Sequence, residues 1–161
     1  MASLKSTRGA QWPLMAEFTF DVSTAANDSM PTTVGNVIAG ATPVYNAAVV
    51  PIGGVAANIF DFIQLPPNAV IVGGDVVVET AVVGPTASTL SVGDLNNATR
   101  YLNAVSLLAA GRTAFTLTGF VHAGENLRMS ITNTVAVATV GKVTVRALYT
   151  IRGRNNEAQP N

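Results

Sequence analysis

The amino-acid sequence predicts an all-β protein that folds as a single antiparallel β-sandwich of jelly-roll-like topology. About eight short segments are rich in valine, isoleucine, threonine or phenylalanine and alternate between apolar and polar residues, as strands do. Glycine and proline, 14 and 8 residues in a chain of 161, separate these segments as turn residues do. Only one segment has a helical pattern, so the regular alternation of strands and helices that predicts an α/β fold is missing.

The chain has the length of one domain and a low content of charged residues. Its 161 residues fit a single domain with a core of its own. Only 11% of them are charged, against about 25% in ordinary soluble domains. The uncharged surface that this implies suits a protein that is packed into an assembly. Cysteine is absent, which excludes disulfide bonds, thiolate metal ligands and cysteine nucleophiles.

The longest strand signal covers residues 69–83. Its alternation predicts one dry face, formed by Val76, Val78, Thr80 and Val82, and one wetter face, formed by Asp75, Val77, Glu79, Ala81 and Val83. Gly73-Gly74 allows a bulge or a bend inside the strand. Gly84-Pro85 predicts a turn into a hairpin partner over residues 88–92. This hairpin is the expected spine of the sandwich.

Two regions of strand precede it. Residues 17–22 place Phe18, Phe20 and Val22 on one face and acidic or polar residues on the other, and they predict the first strand. Residues 23–54 are nearly uncharged and rich in proline and glycine. They predict a long excursion that contains short strands near 33–38 and 47–50.

Residues 55–65 predict a strand with apolar side chains on both faces. Phe60 and Phe62 fall on one face, and Ile59, Ile63 and Leu65 fall on the other. Both faces are therefore covered within the monomer, or one of them is a surface between subunits.

The segment 95–115 is the only candidate for a helix. A helical stripe is formed by Tyr101, Leu102, Val105 and Leu108. Asn97 could cap this short helix and Gly111 could end it, while an irregular loop is an equal alternative. Three further strands are predicted over residues 113–121, 126–132 and 142–152, the last with a basic outer face.

The two ends of the chain lack the periodicity of a core. Residues 1–15 are predicted to form a flexible N-terminal arm, residues 16–152 the sandwich domain, and residues 153–161 a polar C-terminal tail. The N-terminal residues lack the apolar run of a signal peptide. Proline and glycine interrupt the uncharged region between Asp28 and Asp61, so it does not predict a membrane-spanning helix. No membrane partner is expected.

A search for catalytic and metal-binding patterns is negative. The single histidine, His122, cannot form a catalytic triad or a multi-histidine metal site alone, and we interpret it as structural or solvent-facing. Asp75 and Glu79 would lie about 13 Å apart on one strand face, which is too far for a pair of catalytic carboxylates. No phosphate-binding loop is present, because Val143 follows Gly141-Lys142. The sequence predicts no enzyme, no cofactor and no metal site.

The charged residues are divided between the two halves of the chain. From Gly9 to Thr99 there are acidic residues but no lysine or arginine, whereas from Arg100 to Arg154 basic residues predominate. One interpretation is that acidic and basic strands neutralise each other within the monomer. The other is that oppositely charged faces dock onto copies of the chain or onto a charged partner. Direct binding to nucleic acid is not expected, because basic residues are not clustered with aromatic ones.

Four stretches of this sequence resemble a known class of protein. They are LPPNAVIVGGDVVVETAV, STLSVGD, ATRYLNAVSLLAAGRTAF and KVTVRALYTIRGR, within residues 60–154. They are similar to small virion structural proteins of tailed bacteriophages that decorate or cement the head shell. The resemblance implies a non-enzymatic β-sandwich that forms homo-oligomers and binds the outside of the major capsid protein lattice. It has no residue-level motif from which binding residues could be transferred.

The leading hypothesis is therefore a cement protein in the virion head, with the major capsid protein and itself as partners. The candidate interface residues come from the last strand, the doubly apolar strand and the arm: Lys142, Arg146, Arg152, Phe60, Phe62, Lys5, Arg8 and Trp12. The alternative is a binding module of a tail or fibre that recognises carbohydrate. Sugar platforms need exposed aromatic residues, and the sequence offers Trp12, Tyr45, Tyr101 and an inward-patterned Tyr149.

Overall fold

The structure, a computed structural model, describes residues 12–21, 36–37, 56–134 and 138–153, with the backbone alone for 36–37 and 56–60. The described residues form nine strands: β1 Leu14–Asp21, β2 Asn36–Val37, β3 Ala56–Ile63, β4 Ala69–Val83, β5 Ala87–Gly93, β6 Leu102–Ser106, β7 Gly111–Ala114, β8 Leu127–Thr134 and β9 Val140–Ile151. There is no helix in the described ranges, and hence none long and apolar enough to cross a bilayer.

The strands form two antiparallel sheets. One has the order β1-β9-β4-β7, and the other has the order β2-β3-β8-β5-β6. Apart from the two-residue strand β2, each sheet has four strands, and the first and last strands of the fold are neighbours. Most neighbours in a sheet are distant in sequence, so the chain crosses repeatedly between the two sheets. The predicted antiparallel sandwich is confirmed, and its strand order is jelly-roll-like.

The core lies between the two sheets. The longer strands β1, β4, β5, β8 and β9 contribute alternate apolar side chains to it, because successive residues of a strand point to opposite faces. β9 contributes Val143, Val145 and Ala147, and β8 contributes Leu127, Met129 and Ile131. Phe18 on β1 and Phe62 at the end of β3 join the two sheets, with ring centroids 5.8 Å apart.

β4 has the bounds that the sequence predicts, and Val76, Val78 and Val82 face the core as expected. Thr80 does not face the core, and its side chain is exposed. The register between β4 and β9 shifts on both sides of Thr80, which interrupts the alternation there. A third shift, between Ile71 and Gly73, is the bulge expected next to the glycine pair.

The predicted hairpin between β4 and β5 is wrong. β4 is paired on both sides, with β9 and with β7, so it has no free edge for β5. The turn at Gly84-Pro85 instead carries the chain into the other sheet, where β5 pairs with β8 and β6. A glycine-proline turn indicates that a strand ends, but it does not indicate which strand pairs with which.

The segment 95–115 contains no helix; it is irregular over 95–101 and 107–110, as the loop alternative predicts, but it also contains two short strands that were not predicted. It forms β6, which pairs with β5, and β7, which pairs with β4. The helical spacing of Leu102 and Val105 arises because Ala104, with a φ of 49°, interrupts the alternation of β6. Gly111 begins β7 and does not end a helix.

Several predicted boundaries move. The strand predicted over 113–121 is reduced to β7, followed by an irregular segment in which Val121 forms an isolated bridge with Val70. β1 begins at Leu14, so Leu14 and Met15 belong to the sheet and not to the arm. β2 lies within the predicted 33–38 strand. The strand predicted at 47–50 and most of both predicted arms fall outside the described residues.

Candidate functional site

The outer face of the four-stranded sheet carries a row of charges that crosses all its strands. Glu17 on β1 is the register partner of Arg146 on β9, and Arg146 is the register partner of Asp75 on β4. From β7, Arg112 extends to the same carboxylate. The residues face outward because the alternate positions, such as Phe18, Val145 and Val76, are in the core.

Asp75 is the centre of this row. Its Oδ1 accepts a hydrogen bond from Arg146 Nε at 2.8 Å, its Oδ2 accepts one from Arg146 Nη2 at 3.1 Å, and Arg112 Nε also donates to Oδ2. Although it lies on the outer face, Asp75 is only 5% exposed. Burial acts to raise the pKa of Asp75, but the hydrogen bonds from Arg146 and Arg112 outweigh it and hold the pKa below its ordinary value. Asp75 thus lies on the face of β4 that the sequence predicts to be the wetter one, but its side chain is covered.

A second ion pair lies further along the same face. Lys142 Nζ on β9 is 2.7 Å from Glu79 Oε2 on β4, and Thr144 Oγ1 donates to Glu79 Oε1 at 2.7 Å. The hydrogen bond from Lys142 lowers the pKa of Glu79, and the pair raises the pKa of Lys142. Lys142 and Arg146 thus find their carboxylates within the chain, across the central strand pair.

An apolar strip borders the row of charges. Met15 and Leu148 are register partners on β1 and β9, and Val72 is exposed at the bulge of β4. Leu148 lies over Gly73, where an added Cβ would be 3.1 Å from its Cδ1. Between the strip and the charges is an open groove of about 480 Å³, lined by Met15, Gly74, Asp75, Arg112, Arg146 and Leu148. This face therefore combines exposed apolar side chains with neutralised charges.

The outer face of the other sheet differs in chemistry. Along β5 and β8 it presents small hydroxyl side chains, namely Thr89, Ser91, Ser130, Thr132 and Thr134. None of the described residues of these two strands is an exposed large apolar side chain. Its ion pair, Arg128 Nε to Asp61 Oδ1 at 2.8 Å, is largely covered. The four-stranded sheet is thus the better candidate for an apolar contact.

A buried polar cluster occupies one end of the sandwich. His122 is 0% exposed, and its Nε2 shares a hydrogen bond of 2.6 Å with the hydroxyl of Tyr101. Its Nδ1 has no hydrogen-bond partner and lies 3.8 Å from Glu125 Oε1. Burial lowers the pKa of His122, although Glu125 and Asp94 act in the opposite direction. Burial also raises the pKa of Tyr101, to about 12. The structural interpretation of this histidine is supported.

Asp94, His122 and Glu125 place ligand atoms within 4.8 Å of one another, as a metal site would. The carboxylate of Asp94 is already occupied, because it accepts hydrogen bonds from the backbone N–H groups of Asn96 and Asn97, both at 2.9 Å, and from Arg100. The guanidinium of Arg100 would repel a cation at the same carboxylate. Asp94 and Arg100 therefore form a structural ion pair next to the buried His122. The group of Asp94, His122 and Glu125 does not fit a metal ion.

The predicted interface residues are placed as follows. Lys142, Arg146 and Arg152 lie on β9 or directly after it, and Trp12, 81% exposed, precedes β1. The prediction that Phe62 is an interface residue is wrong, because Phe62 is 5% exposed and belongs to the core. The register between β3 and β8 shifts between Asp61 and Ile63, so Phe62 and Ile63 are both buried although they are adjacent. Lys5, Arg8 and the side chain of Phe60 are outside what the structure describes.

Sequence reasoning missed two of these features. It assigned Asp75 and Arg146 to outward positions but did not predict that Arg112 joins them, because pairing of β7 with β4 has no local signal. It also missed the pair between Asp94 and Arg100. The available signal for that pair was the acid at a strand end followed by Asn96 and Asn97, which is typical of a side-chain-stabilised turn.

No protein-family model matches the sequence, and no curated protein matches it. Two solved structures contain chains that are similar in fold. One is a chain of the capsid of Ralstonia phage GP4, with a TM-score of 0.50 and 16% identity, covering 96% of this chain and 92% of that one. The other is a chain of the cyanophage Pam1 capsid asymmetric unit, with a TM-score of 0.48 and 18% identity, covering 93% of this chain and 94% of that one. The likeness to the Ralstonia phage chain shows a shared fold.

Proposed function

We propose that this chain is a non-enzymatic structural protein of a phage virion. In this proposal it is a decoration or cement protein that binds the outside of the head and stabilises contacts between major capsid subunits. Its partners are the major capsid protein and further copies of itself, without a cofactor, a membrane or direct contact with nucleic acid.

The observation that carries the proposal is the extent of the likeness to a chain of the Ralstonia phage GP4 capsid. It covers 96% of this chain and 92% of that one. The likeness therefore extends over nearly all of both chains and is not confined to one part of the sandwich. The stretches that resemble decoration proteins point to the same role independently.

The surface chemistry agrees with a role in an assembly. Trp12, Met15 and Leu148 are apolar side chains exposed on or beside one sheet, where they would be covered by a neighbour. Lys142 and Arg152 lie on the same strand or directly after it, and they are the candidate polar contacts at the rim of such an interface. Lys5 and Arg8 remain candidates for contacts made by the N-terminal arm.

The alternative is a carbohydrate-binding module of a tail or fibre. Such a site needs aromatic rings exposed at a surface. Among the aromatic side chains that the structure describes, Trp12 is the one that is largely exposed, while Tyr101 is buried and Tyr149 is half-buried against the core. Tyr45 lies outside the described residues. Within them, one exposed ring before β1 is a poor platform for a sugar, which favours the decoration role.

The test is to locate the protein in the particle. Virions of the phage that encodes this chain are dissociated, heads and tails are separated on a density gradient, and both fractions are probed with an antibody against the purified protein. Detection in heads, with density on the outer shell in cryo-electron microscopy, is expected. Detection in tails only would favour the alternative, and absence from both fractions would overturn a virion role.

A further inference from the structure

The row of charges on the four-stranded sheet has opposite signs at its two ends. From β1 to β7 it reads Glu17, negative; Arg146, positive; Asp75, negative; and Arg112, positive. The two inner members are paired with each other. The outer members are the more exposed ones: the side chain of Glu17 is exposed, and that of Arg112, which also donates to Asp75, is 67% exposed.

This order is complementary to itself under one particular symmetry. If a second copy faces the first across a two-fold axis parallel to the strands, β1 of one copy lies opposite β7 of the other. Glu17 then meets Arg112 of the second copy at both ends of the row. In the middle, Arg146 meets Asp75 of the second copy. Every charge in the row is placed opposite a charge of the other sign.

The same axis also places the apolar strips of the two copies opposite each other. Rotation about an axis parallel to the strands keeps each position along the strands unchanged and reverses only the order of the strands. The strip that contains Met15, Val72 and Leu148 therefore meets the strip of the second copy. Apolar side chains that are exposed in the single chain would be covered by apolar side chains, and charges would be covered by charges.

We propose that the outer face of this sheet binds a second copy of the chain, face to face about a two-fold axis parallel to the strands, with Glu17 of each copy paired to Arg112 of the other. Neither the face nor the pairing depends on the role of the chain in a virion. The outer face of the other sheet, with its small hydroxyl side chains, has neither an apolar strip nor a row of alternating charges among the described residues.

The size of the face determines how strong this contact can be. Four strands about 4.8 Å apart and about eight residues long at about 3.3 Å per residue offer roughly 500 Å² per copy. A typical stable interface covers about 800 Å² per partner. The dimer is therefore weak in dilute solution, and an ordered array that raises the local concentration would strengthen it.

Charge reversal tests the pairing directly. Sedimentation velocity is measured over a range of concentrations at low salt for the wild type, for Glu17→Lys, for Arg112→Glu and for an equimolar mixture of the two variants. Each variant alone places like charges together at both ends of the row, and we expect its dimer dissociation constant to rise at least about tenfold. In the mixture, the introduced lysine of one copy meets the introduced glutamate of the other. At the opposite end of the row the native Arg112 and Glu17 still meet, so association is restored.

Cysteine cross-linking tests the same geometry without relying on the ion pairs. The chain has no cysteine, so Glu17→Cys and Arg112→Cys each introduce the only thiol. The two positions are three strands apart in one copy, about 14 Å, which is too far for a disulfide bond. Under mild oxidation, the mixture of the two variants is expected to give far more covalent dimer than either variant alone.

The control is Thr132→Lys, which adds a charge to the outer face of the other sheet and should leave association unchanged. Urea unfolding of each variant establishes that it is folded. A wild type that stays monomeric at the highest concentration, or cross-linking that is equal in the mixture and in the single variants, would overturn the proposal. Variants that associate normally but detach from phage heads would assign this face to the capsid shell, and that result would also overturn it.

Discussion

Oδ1 of Asp75 lies 2.8 Å from Nε of Arg146, across the register of β4 and β9 and 71 positions away in the sequence. The acidic first half of the chain and its basic second half therefore meet at the central strand pair of one sheet. Lys142 and Glu79 repeat the relationship further along the same two strands. Of the two interpretations of the divided charges, neutralisation within the monomer accounts for these pairs, and contacts between subunits remain a proposal.

The first prediction concerns Asp75. Asp75→Asn leaves the guanidinium groups of Arg146 and Arg112 without their counter-charge at a covered site, so the free energy of unfolding at pH 7 should fall by about 1–3 kcal/mol. Chemical unfolding in urea measures it. Glu79→Gln is the matched control, because Glu79 is exposed and its loss should cost much less. Equal losses in the two variants would show that burial of Asp75 is irrelevant.

The difference in free energy of unfolding between wild type and Asp75→Asn should also depend on pH. Despite burial, Arg146 and Arg112 hold the pKa of Asp75 below its ordinary value of 3.8. A lowered pKa in the folded state means that the carboxylate stabilises the fold above about pH 3.8 and that this contribution is lost as the pH falls through the lowered pKa. The difference between wild type and Asp75→Asn should therefore shrink in acid, which urea unfolding below pH 4 would measure.

The second prediction concerns Gly74, which lines the groove. A Cβ at this position would lie 2.5 Å from Cδ2 of Phe115 and 2.6 Å from the backbone oxygen of Arg146. Backbone cannot move aside as a flexible side chain can, so Gly74→Ala should destabilise the fold by about 1–3 kcal/mol. Gly111→Ala is the control, since nothing lies within 4 Å of its added Cβ. A stable Gly74→Ala variant would mean that β4 and β9 separate easily at this point.

Alternation along single strands was the part of the fold that the sequence could predict. It placed Val76 and Val78 in the core and Arg146 outside, because the direction of a side chain depends only on its position in the strand. Strand pairing could not be predicted in the same way. β4 pairs with β9, which begins about 60 residues later, and no local pattern encodes that choice.

The buried polar cluster around His122 could not be predicted from the sequence either. Its members come from the end of β5, the turn that follows and the segment before β8, and burial alone distinguishes His122 from a surface histidine. Phe62 failed as an interface residue for a related reason, because pairing decides which face of a strand is covered. Asp61 is the register partner of Arg128 on the outer face, so Phe62 falls on the core face, and the bulge after Asp61 turns Ile63 to the core as well.

The third prediction uses His122 as an internal pH probe. Burial lowers its pKa below the ordinary value of 6.5, so the folded state keeps it neutral at a pH where the unfolded chain binds a proton. Its contribution to stability is complete above pH 6.5 and is lost as the pH falls from 6.5 toward the lowered pKa, at most about 1.36 kcal/mol for each unit of pKa difference. Glu125, Asp94 and Arg100 face the ring and set the size of the effect.

The measurement is urea unfolding between pH 7.5 and 5.5. The chain has one histidine and no cysteine, so His122 is the side chain with an ordinary pKa inside this window. Stability should decrease as the pH falls, and His122→Phe should remove most of that slope, even if the variant is less stable at pH 7.5. Tyr101→Phe, which removes the hydroxyl bonded to Nε2, is the companion variant and should change the slope without abolishing it. A wild type whose stability does not vary over this window would contradict the burial of a neutral histidine.

The fourth prediction separates attachment from stability. Pairing of β1 with β9 begins at Leu14 and Tyr149, so deletion of residues 1–11 leaves all of the described strand pairing in place. The free energy of unfolding should change by less than about 0.5 kcal/mol. Under the proposed function the N-terminal arm contributes contacts to the shell, so less of the shortened protein should sediment with phage heads at equal concentration.

Phe18→Ala is the control for this deletion, because Phe18 lies in the core against Phe62. Its truncation should lower the free energy of unfolding by about 3–5 kcal/mol. The two variants should therefore behave in opposite ways: the deletion keeps the fold and weakens co-sedimentation, whereas Phe18→Ala weakens the fold itself. If the shortened protein unfolds, the arm belongs to the core. If it sediments with heads as well as the full chain does, the contacts with the shell come from the sandwich alone, and the exposed sheet face with Met15 and Leu148 becomes the surface to alter next.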